Sequence, residues 1–355
     1  MTSLSTMKAV QLRTARRAPE LVELPVPRPG PGQVLLSVTG VGLCHSDFLL
    51  LDTPAGMLRR MGIPLPLTLG HEVVGTVAAL GAGASGVSEG EAVALYGPWG
   101  CGRCRRCADG AENLCVRREA LGIAPPGLGS PGGLGEYMLV ESPRHLVPID
   151  GLDPLQAVPM TDAGLSAYHC VKRSLPKLGP GGTAVVIGVG GLGHLAVQLL
   201  RALTPVQVIA VDVSEAKLTL ASDLGAHATL VPDETAVGRV RELTDDAGAD
   251  VILDFVGTQA TVEMAGACVA TGGDVTVAGV GRGALPVGFD TPAYGVSVAG
   301  TYWGTRTDFT EVIELARDGV LTARLETYPL REVPRAYDRL RQGLITGRAV
   351  VLPGG

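Results

Sequence analysis

The stretch TAVVIGVGGLGHLAVQLL, residues 183–200, decides how the chain is read. Thr183–Ile187 is a short apolar run without polar alternation, the pattern of a strand buried on both faces. Gly188, Gly190 and Gly193 then fall in the spacing G-x-G-x-x-G, with Gly191 and Leu192 between them, and a helical period opens at Leu192 and runs to Leu203. In a chain with 50 glycines that spacing arises by chance, so alone it is weak. Its setting makes it specific: a buried strand precedes it, a helix follows, and an acidic residue, Asp212, closes the next strand about twenty positions on. Glycines let the backbone approach a diphosphate, the helix N-terminus favours its charge, and the carboxylate accepts hydrogen bonds from ribose hydroxyls. A 2′-phosphate would meet that carboxylate with no arginine beside it, since Val213 and Ser214 follow. A repulsion of ~1.4 kcal/mol suffices for tenfold discrimination. NAD rather than NADP is the expected dinucleotide.

Downstream, apolar and amphipathic segments alternate. Strands are expected at Val206–Val211, His227–Val231, Val251–Phe255, Asp274–Ala278 and Val296–Tyr302, and helices at Ser214–Leu224, Glu234–Thr244 and Gln259–Ala270. This alternation predicts a parallel sheet covered by helices on both faces, placed in a domain of residues 154–294. Upstream the texture differs. Short β-type runs at Lys8–Leu12, Gln33–Val41, His71–Leu80 and Ala92–Leu95 are separated by Gly/Pro breaks, and no full-length helical period occurs before about residue 153. A mainly β domain is expected there, with residues 295–355, including a helix at Phe309–Arg317, returning to residues 1–153.

At 46% hydrophobic and 18% charged, the chain has material for two cores. A net charge of −6 offers no basic surplus for nucleic acid or an anionic membrane surface. The longest apolar run, 184–200, is interrupted by His194 and Gln198, so no membrane span is expected. The opening MTSLSTMKAV lacks the pattern of a secretory leader.

Four of the seven cysteines, Cys101, Cys104, Cys107 and Cys115, give C-x2-C-x2-C-x7-C. In a chain of this length such crowding points to metal and a reducing, cytoplasmic compartment rather than disulfides. Four thiolates in a short loop close a tetrahedral shell around zinc. Gly100, Gly102 and Gly110 let the backbone wrap the ion, and Arg103, Arg105 and Arg106 are expected to offset its charge. An iron–sulfur cluster and idle thiols are competing readings; the short fourth interval and the neighbouring nucleotide motif favour zinc. Cys44-His45-Ser46-Asp47 and Gly70-His71-Glu72 hold the remaining candidate ligands. Spacing alone does not separate a metal site from packed core residues there.

GLCHSD (42–47), LGHEVVGTV (69–77), the four-cysteine loop, TDAGLSAYH (161–169) and VVIGVGGLG (185–193) occur in that order. In these signatures the chain resembles the zinc-dependent medium-chain alcohol dehydrogenases, from Met7 to Pro353, and among them the bacterial NAD-dependent secondary alcohol dehydrogenases. The resemblance implies a mainly β, GroES-like catalytic domain and a doubly wound parallel-sheet Rossmann domain, an α/β chain with two zinc ions per subunit. A catalytic zinc would be held by Cys44, His71 and Asp162 with a fourth position open, and a structural zinc by Cys101, Cys104, Cys107 and Cys115. Asp162 stands where many members carry cysteine, an electrically neutral exchange. Glu72 either approaches the ion or serves only as a neighbouring carboxylate.

By the same resemblance Asp47 accepts the free ring N–H of His71, and Ser46 is the first acceptor of the alcohol proton. Leu49 stands where familiar members carry a relaying histidine. His45 is the nearest substitute, with contact to the diphosphate as its other reading. Lys217 is implied at the ribose, Ser166 and Leu192 near the nicotinamide, and Arg348 at the diphosphate. Phe48, Leu49, Met57, Leu58, Met61 and Trp303 would line an apolar pocket for medium or bulky secondary alcohols and ketones. A polyol or thiol-adduct dehydrogenase would need polar groups in that pocket, and a non-catalytic NAD-binding relative would have lost Cys44 or His71. A homodimer or homotetramer is implied, with Val296–Tyr302 pairing with its copy.

Overall fold

Thr183–Ile187 lies inside a six-stranded parallel sheet in this computed structural model, which describes residues 5–355. The spatial order is Ala228–Leu230, Gln207–Val211, Thr183–Ile187, Ala249–Asp254, Val269–Val277 and Ser297–Gly300. Val185 is paired with Ile209 on one side and Ile252 on the other, and all three are fully buried. That two-sided burial is why these runs lack polar alternation. The helices Gly193–Leu203, Glu215–Asp223, Ala236–Glu242 and Gln259–Cys268 make the crossovers. Strand order reverses between Thr183–Ile187 and Ala249–Asp254, and the glycine turn sits at the carboxyl end of the former, where such sheets take ligands.

The chain divides into two units, one of Ala163–Gly304 with Gly319–Ala323, the other of the residues up to Asp162 with Thr305–Asp318 and Arg324–Gly355. These divisions lie later than residues 153 and 295. The helix Pro154–Pro159 packs on the strands Val34–Leu43 and Glu72–Leu80, which keeps it in the first unit. Ser297–Gly300 pairs with Val269–Val277, which keeps it in the second.

The first unit is built on a seven-stranded sheet. Its path runs Leu325–Pro329, Arg348–Leu352, Val34–Leu43, Glu72–Leu80, Ala92–Leu95 and Leu146–Pro148, and Tyr137–Val140 also pairs with Val34–Leu43. A smaller sheet joins Glu20–Pro25, Thr6–Leu12 and Leu67–Thr68. Its helices before residue 153 are only four to six residues long. The expectation of a mainly β first part therefore stands. The reading of MTSLSTMKAV falls partly on residues 1–4, outside the described residues. Among the described residues no helix is long and apolar enough to cross a membrane.

Candidate active site

The strand Val34–Leu43 delivers Cys44 to a tight turn, His45–Asp47, in which the Cys44 N–H donates to Asp47 Oδ2 at 3.0 Å. His71 enters the next strand through Gly70, whose φ of +92° favours glycine and whose missing Cβ would press on Val41 and Leu134. Asp162 sits on a wide π-type turn, Met160–Gly164, an irregularity frequent at functional sites. Around the His71 ring, Nδ1 lies 3.1 Å from Asp47 Oδ1, while Nε2 lies 3.2 Å from Ser46 Oγ, 3.5 Å from Asp162 Oδ2 and 4.0 Å from Glu72 Oε1. One donor atom each from Cys44, His71, Glu72 and Asp162 lies within 4.8 Å of the others, and all four residues are buried.

This donor set fits zinc. It joins a thiol, an imidazole and carboxylates, and a carboxylate orients the imidazole from its far nitrogen, as at metal-ligating histidines. Burial works to raise the Cys44 thiol pKa, but the Arg348 charge and the bond to His71 outweigh it and bring the thiol below its ordinary value. Burial likewise opposes a charged His71 ring, and Asp47 and Asp162 outweigh that, raising its pKa well above the usual value.

Arg348, expected at a diphosphate, is paired here with two carboxylates. Its Nε donates to Glu72 Oε2 at 2.9 Å, an Nη donates to Asp162 Oδ2 at 3.4 Å, and the same nitrogen closes an ion pair with Glu72 Oε1. Two buried carboxylates demand a counter-charge, and this buried guanidinium supplies it. Sequence reading also missed Tyr337, whose buried hydroxyl donates to Asp47 Oδ2 at 3.0 Å. Burial and Asp47 hold that phenol well above its ordinary pKa, so it stays a neutral donor.

The four-cysteine loop closes on itself. Cys101 and Cys107 sulfurs are 3.9 Å apart, Cys104 and Cys107 3.5 Å, and Cys104 and Cys115 3.9 Å, with no disulfide among them. Four sulfurs about 2.3 Å from a common tetrahedral centre stand about 3.8 Å apart, so the loop fits a zinc ion. Backbone N–H groups of Arg103 and Cys104 help bring the Cys101 thiol down to about 6, while burial pushes Cys107 up to about 12. Arg103, Arg105 and Arg106, expected to offset the charge of the loop, are all exposed, and Arg105 pairs with Asp109. A basic group from outside the loop, Arg144, packs against it. It bonds Glu112 at 3.2 Å and the Gly100 carbonyl, and Glu112 accepts the Gly100 N–H at 3.1 Å.

In the second unit the glycine motif forms the expected turn. Gly188 has φ +88°, and a Cβ on Gly193 would strike the Gly188 carbonyl oxygen. At Gly190 a Cβ would meet nothing within 4 Å and φ is ordinary, so the fold itself does not require glycine there. Close approach of the protein main chain to a ligand would, and the turn fits a dinucleotide diphosphate. Asp212 Oδ2 accepts the Val189 N–H at 2.8 Å and Oδ1 the Ser214 N–H at 2.9 Å, which ties the acid to the turn. His194 Nδ1 lies 2.8 Å from the Gly190 carbonyl; burial lowers its pKa to about 4, so the neutral ring donates. Lys217 is half-buried on Glu215–Asp223, Leu192 caps Gly193–Leu203, and Ser166 is buried in Leu165–Ser174.

Residues 30–151 match the alcohol dehydrogenase GroES-like domain family, and residues 191–318 the zinc-binding dehydrogenase family. An NAD-dependent alcohol dehydrogenase of Sulfolobus acidocaldarius is 35% identical over 354 residues, 97% of this chain and 99% of that one. The chain belongs to the zinc-dependent medium-chain alcohol dehydrogenases. D-arabinose 1-dehydrogenase (NADP(+)) of Saccharolobus solfataricus is 31% identical across 98% of this chain and 97% of its own. The alcohol dehydrogenase structure from Aeropyrum pernix superimposes with a TM-score of 0.88 at 33% identity, covering 98% of this chain and 100% of that one.

The residues expected to line this dehydrogenase's pocket fall on both units. Leu49 is half-buried and Met57 and Met61 exposed in the first, whereas Trp303 is buried in the second, its ring edge-on to Tyr302. Two of them face elsewhere. Leu58 is buried in the first unit's core. Phe48 lies under the Arg341 guanidinium, 4.1 Å from its ring centre, and edge-on to Tyr337, because the Arg341–Asp52 ion pair fixes a cation over its face. It thus lines an outer hollow of ≈ 460 Å³ with Arg16, Asp52 and Arg341. His45 is exposed at the turn beside Ser46, its ring edge-on to Phe48.

Proposed function

We propose that this dehydrogenase interconverts medium-sized secondary alcohols and ketones using NAD and two zinc ions per subunit. The observation that carries this is the buried convergence of Cys44, His71 and Asp162 within 4.8 Å, with Ser46 Oγ 3.2 Å from the same histidine nitrogen. Those three residues hold the catalytic ion, and Cys101, Cys104, Cys107 and Cys115 the structural one. When bound, the two groups supply Lewis acidity at the substrate oxygen and a hydride acceptor. Asp47 fixes the His71 ring from Nδ1. Ser46 Oγ takes the alcohol proton as it hands its own onward, and exposed His45 passes that proton to water, a task suited to a histidine's ordinary pKa. Glu72, held by Arg348, stays beside the ligands.

The turn Gly188–Gly193 cradles the diphosphate, Asp212 and Lys217 take the ribose, and Ser166 and Leu192 flank the nicotinamide. Leu49, Met61 and Trp303 supply apolar walls. The Asp212 carboxylate supports NAD, as does the Sulfolobus relative's name; the Saccharolobus relative is named for NADP(+) and a sugar. Seven unbridged cysteines fit a cytoplasmic setting, and the edge strand Ser297–Gly300 fits pairing with a second copy in a dimer.

The test is a panel of secondary alcohols and D-arabinose, each with NAD and NADP, followed at reduced-dinucleotide absorbance with and without a chelator, beside a zinc count. Chelator-sensitive turnover of secondary alcohols, higher kcat/KM with NAD and about two zinc ions per subunit are expected. Preference for the sugar would replace the substrate class, preference for NADP the cofactor. Dinucleotide binding without turnover of any alcohol would overturn the reading.

A further inference from the structure

Asp47 is fully buried, and its two oxygens do different things. Oδ1 faces His71 Nδ1 at 3.1 Å, whereas Oδ2 accepts two donors, the Cys44 N–H at 3.0 Å and the Tyr337 hydroxyl at 3.0 Å. The Cys44 bond is local and spans three residues, so it moves with the turn. The Tyr337 bond spans 290 positions and anchors the carboxylate to an independent element, the helix Val333–Arg341. Val333, Ala336 and Leu340 of that helix are buried in the same core as the strand that leads into Cys44, and Phe48 meets the Tyr337 ring edge-on at 5.9 Å.

We propose that Tyr337 is a positioning residue for His71, acting through Asp47. With two donors converging on Oδ2 from different directions, the carboxylate plane cannot pivot. The remaining oxygen is thereby held beside the ring nitrogen, 3.1 Å away, and the opposite nitrogen toward the cluster of Ser46, Asp162 and Glu72. A buried phenol hydroxyl must find a partner, and Asp47 accepts from it. Phenylalanine would fill the same space and leave the carboxylate free to rotate. Groups that orient a ligating histidine typically change metal affinity or activity 10–100-fold when removed. The inference rests on Cys44, His71 and Asp162 being the catalytic zinc ligands.

The experiment uses the full-length, zinc-loaded dehydrogenase and compares wild type with Y337F, D47N, the Y337F/D47N double variant and C44S. Zinc affinity is read by chelator competition, kcat and KM separately, and Tm by calorimetry. Y337F is expected to hold the more labile zinc about tenfold less tightly and to lose about tenfold in kcat with alcohol KM unchanged. Y337H, which restores a ring donor, is expected to recover part of the affinity. If Tyr337 works through Asp47, the double variant loses no more than D47N alone. Zinc affinity and kcat equal to wild type in Y337F, or losses that multiply in the double variant, would overturn the proposal. A lowered Tm with unchanged zinc affinity would reduce Tyr337 to packing and overturn it equally. C44S separates the two readings: if C44S keeps both zinc ions as wild type does, the ligand assignment itself fails. If C44S loses one and Y337F matches wild type, only the role of Tyr337 fails.

Discussion

The first unit carries two donor clusters built on opposite principles. The cysteines at 101–115 come from one short loop whose own backbone N–H groups bond its sulfurs, as Cys101 does to Cys115 and Cys104 to Cys101. Cys44, His71 and Asp162 are brought together from three separate elements, with Arg348 and Tyr337 arriving from the far end of the chain. A local cluster can order its own loop once a metal is present. A dispersed cluster exists only when the whole unit has folded, so it can be held in a geometry that a loop would not keep. That is the difference expected between a site that stabilises and a site that reacts.

Substituting one cysteine in each cluster breaks the comparison most sharply. C44S is expected to lower kcat/KM by about a thousandfold or more, several kcal/mol of transition-state stabilisation. C107S should instead lose its zinc and melt at lower temperature, while the folded fraction keeps turnover within about tenfold. Equal activity losses in both would erase the distinction. Arg348→Met comes next. It leaves Glu72 and Asp162 without their guanidinium, and urea unfolding should show a loss of about 3–5 kcal/mol. The companion variant E72Q/R348M should regain part of it. Unchanged stability in R348M would show that the cluster needs no internal cation.

The smallest effect sharpens a comparison between the two units, each of which buries one neutral histidine. Burial, with Arg144 and Arg306, pushes His145 down to about 3, and burial pushes His194 down to about 4. Unfolded histidines titrate near 6.5. Between these values the unfolded chain takes up protons that the folded chain refuses. Stability is therefore complete above about pH 6.5 and declines as pH falls toward the folded values. By pH 5 each ring removes about 2 kcal/mol, so unfolding free energies at pH 7 and pH 5 should differ by that amount per histidine. H194L should flatten the dependence in the second unit; an unaltered slope would assign it to other groups.

How much of this was legible from residues alone depends on distance along the chain. The inner parallel strands Thr183–Ile187, Gln207–Val211 and Ala249–Asp254 were readable because burial on both faces writes itself as near-continuous apolar runs, whereas the outer Ala228–Leu230 and Ser297–Gly300 are only partly buried and were read from their place in the alternation. Glu20–Pro25, Leu146–Pro148 and Leu325–Pro329 were not, since each is short and ends in proline, which reads as a break. The four-cysteine loop announces itself by spacing. The contacts of Tyr337 with Asp47 and of Arg144 with Glu112 leave no local pattern, because each partner is an ordinary helix or loop residue whose role is set by what folds against it. Arg348 was noticed for its chemistry, but its carboxylate partners Glu72 and Asp162 were not foreseen, as a guanidinium suits carboxylate and phosphate alike.

The two backbone bonds made by Asp212 have a practical consequence for anyone wishing to retool this scaffold toward the phosphorylated dinucleotide. Exchanging the acid for a small neutral residue removes the charge, but it also strips the acceptor from the Val189 N–H and loosens the bend proposed to grip the coenzyme. Leaving such a donor stranded costs about 1–3 kcal/mol. Asparagine, which retains a side-chain oxygen, is the gentler first step, with a new cation added on the adjoining helix afterwards.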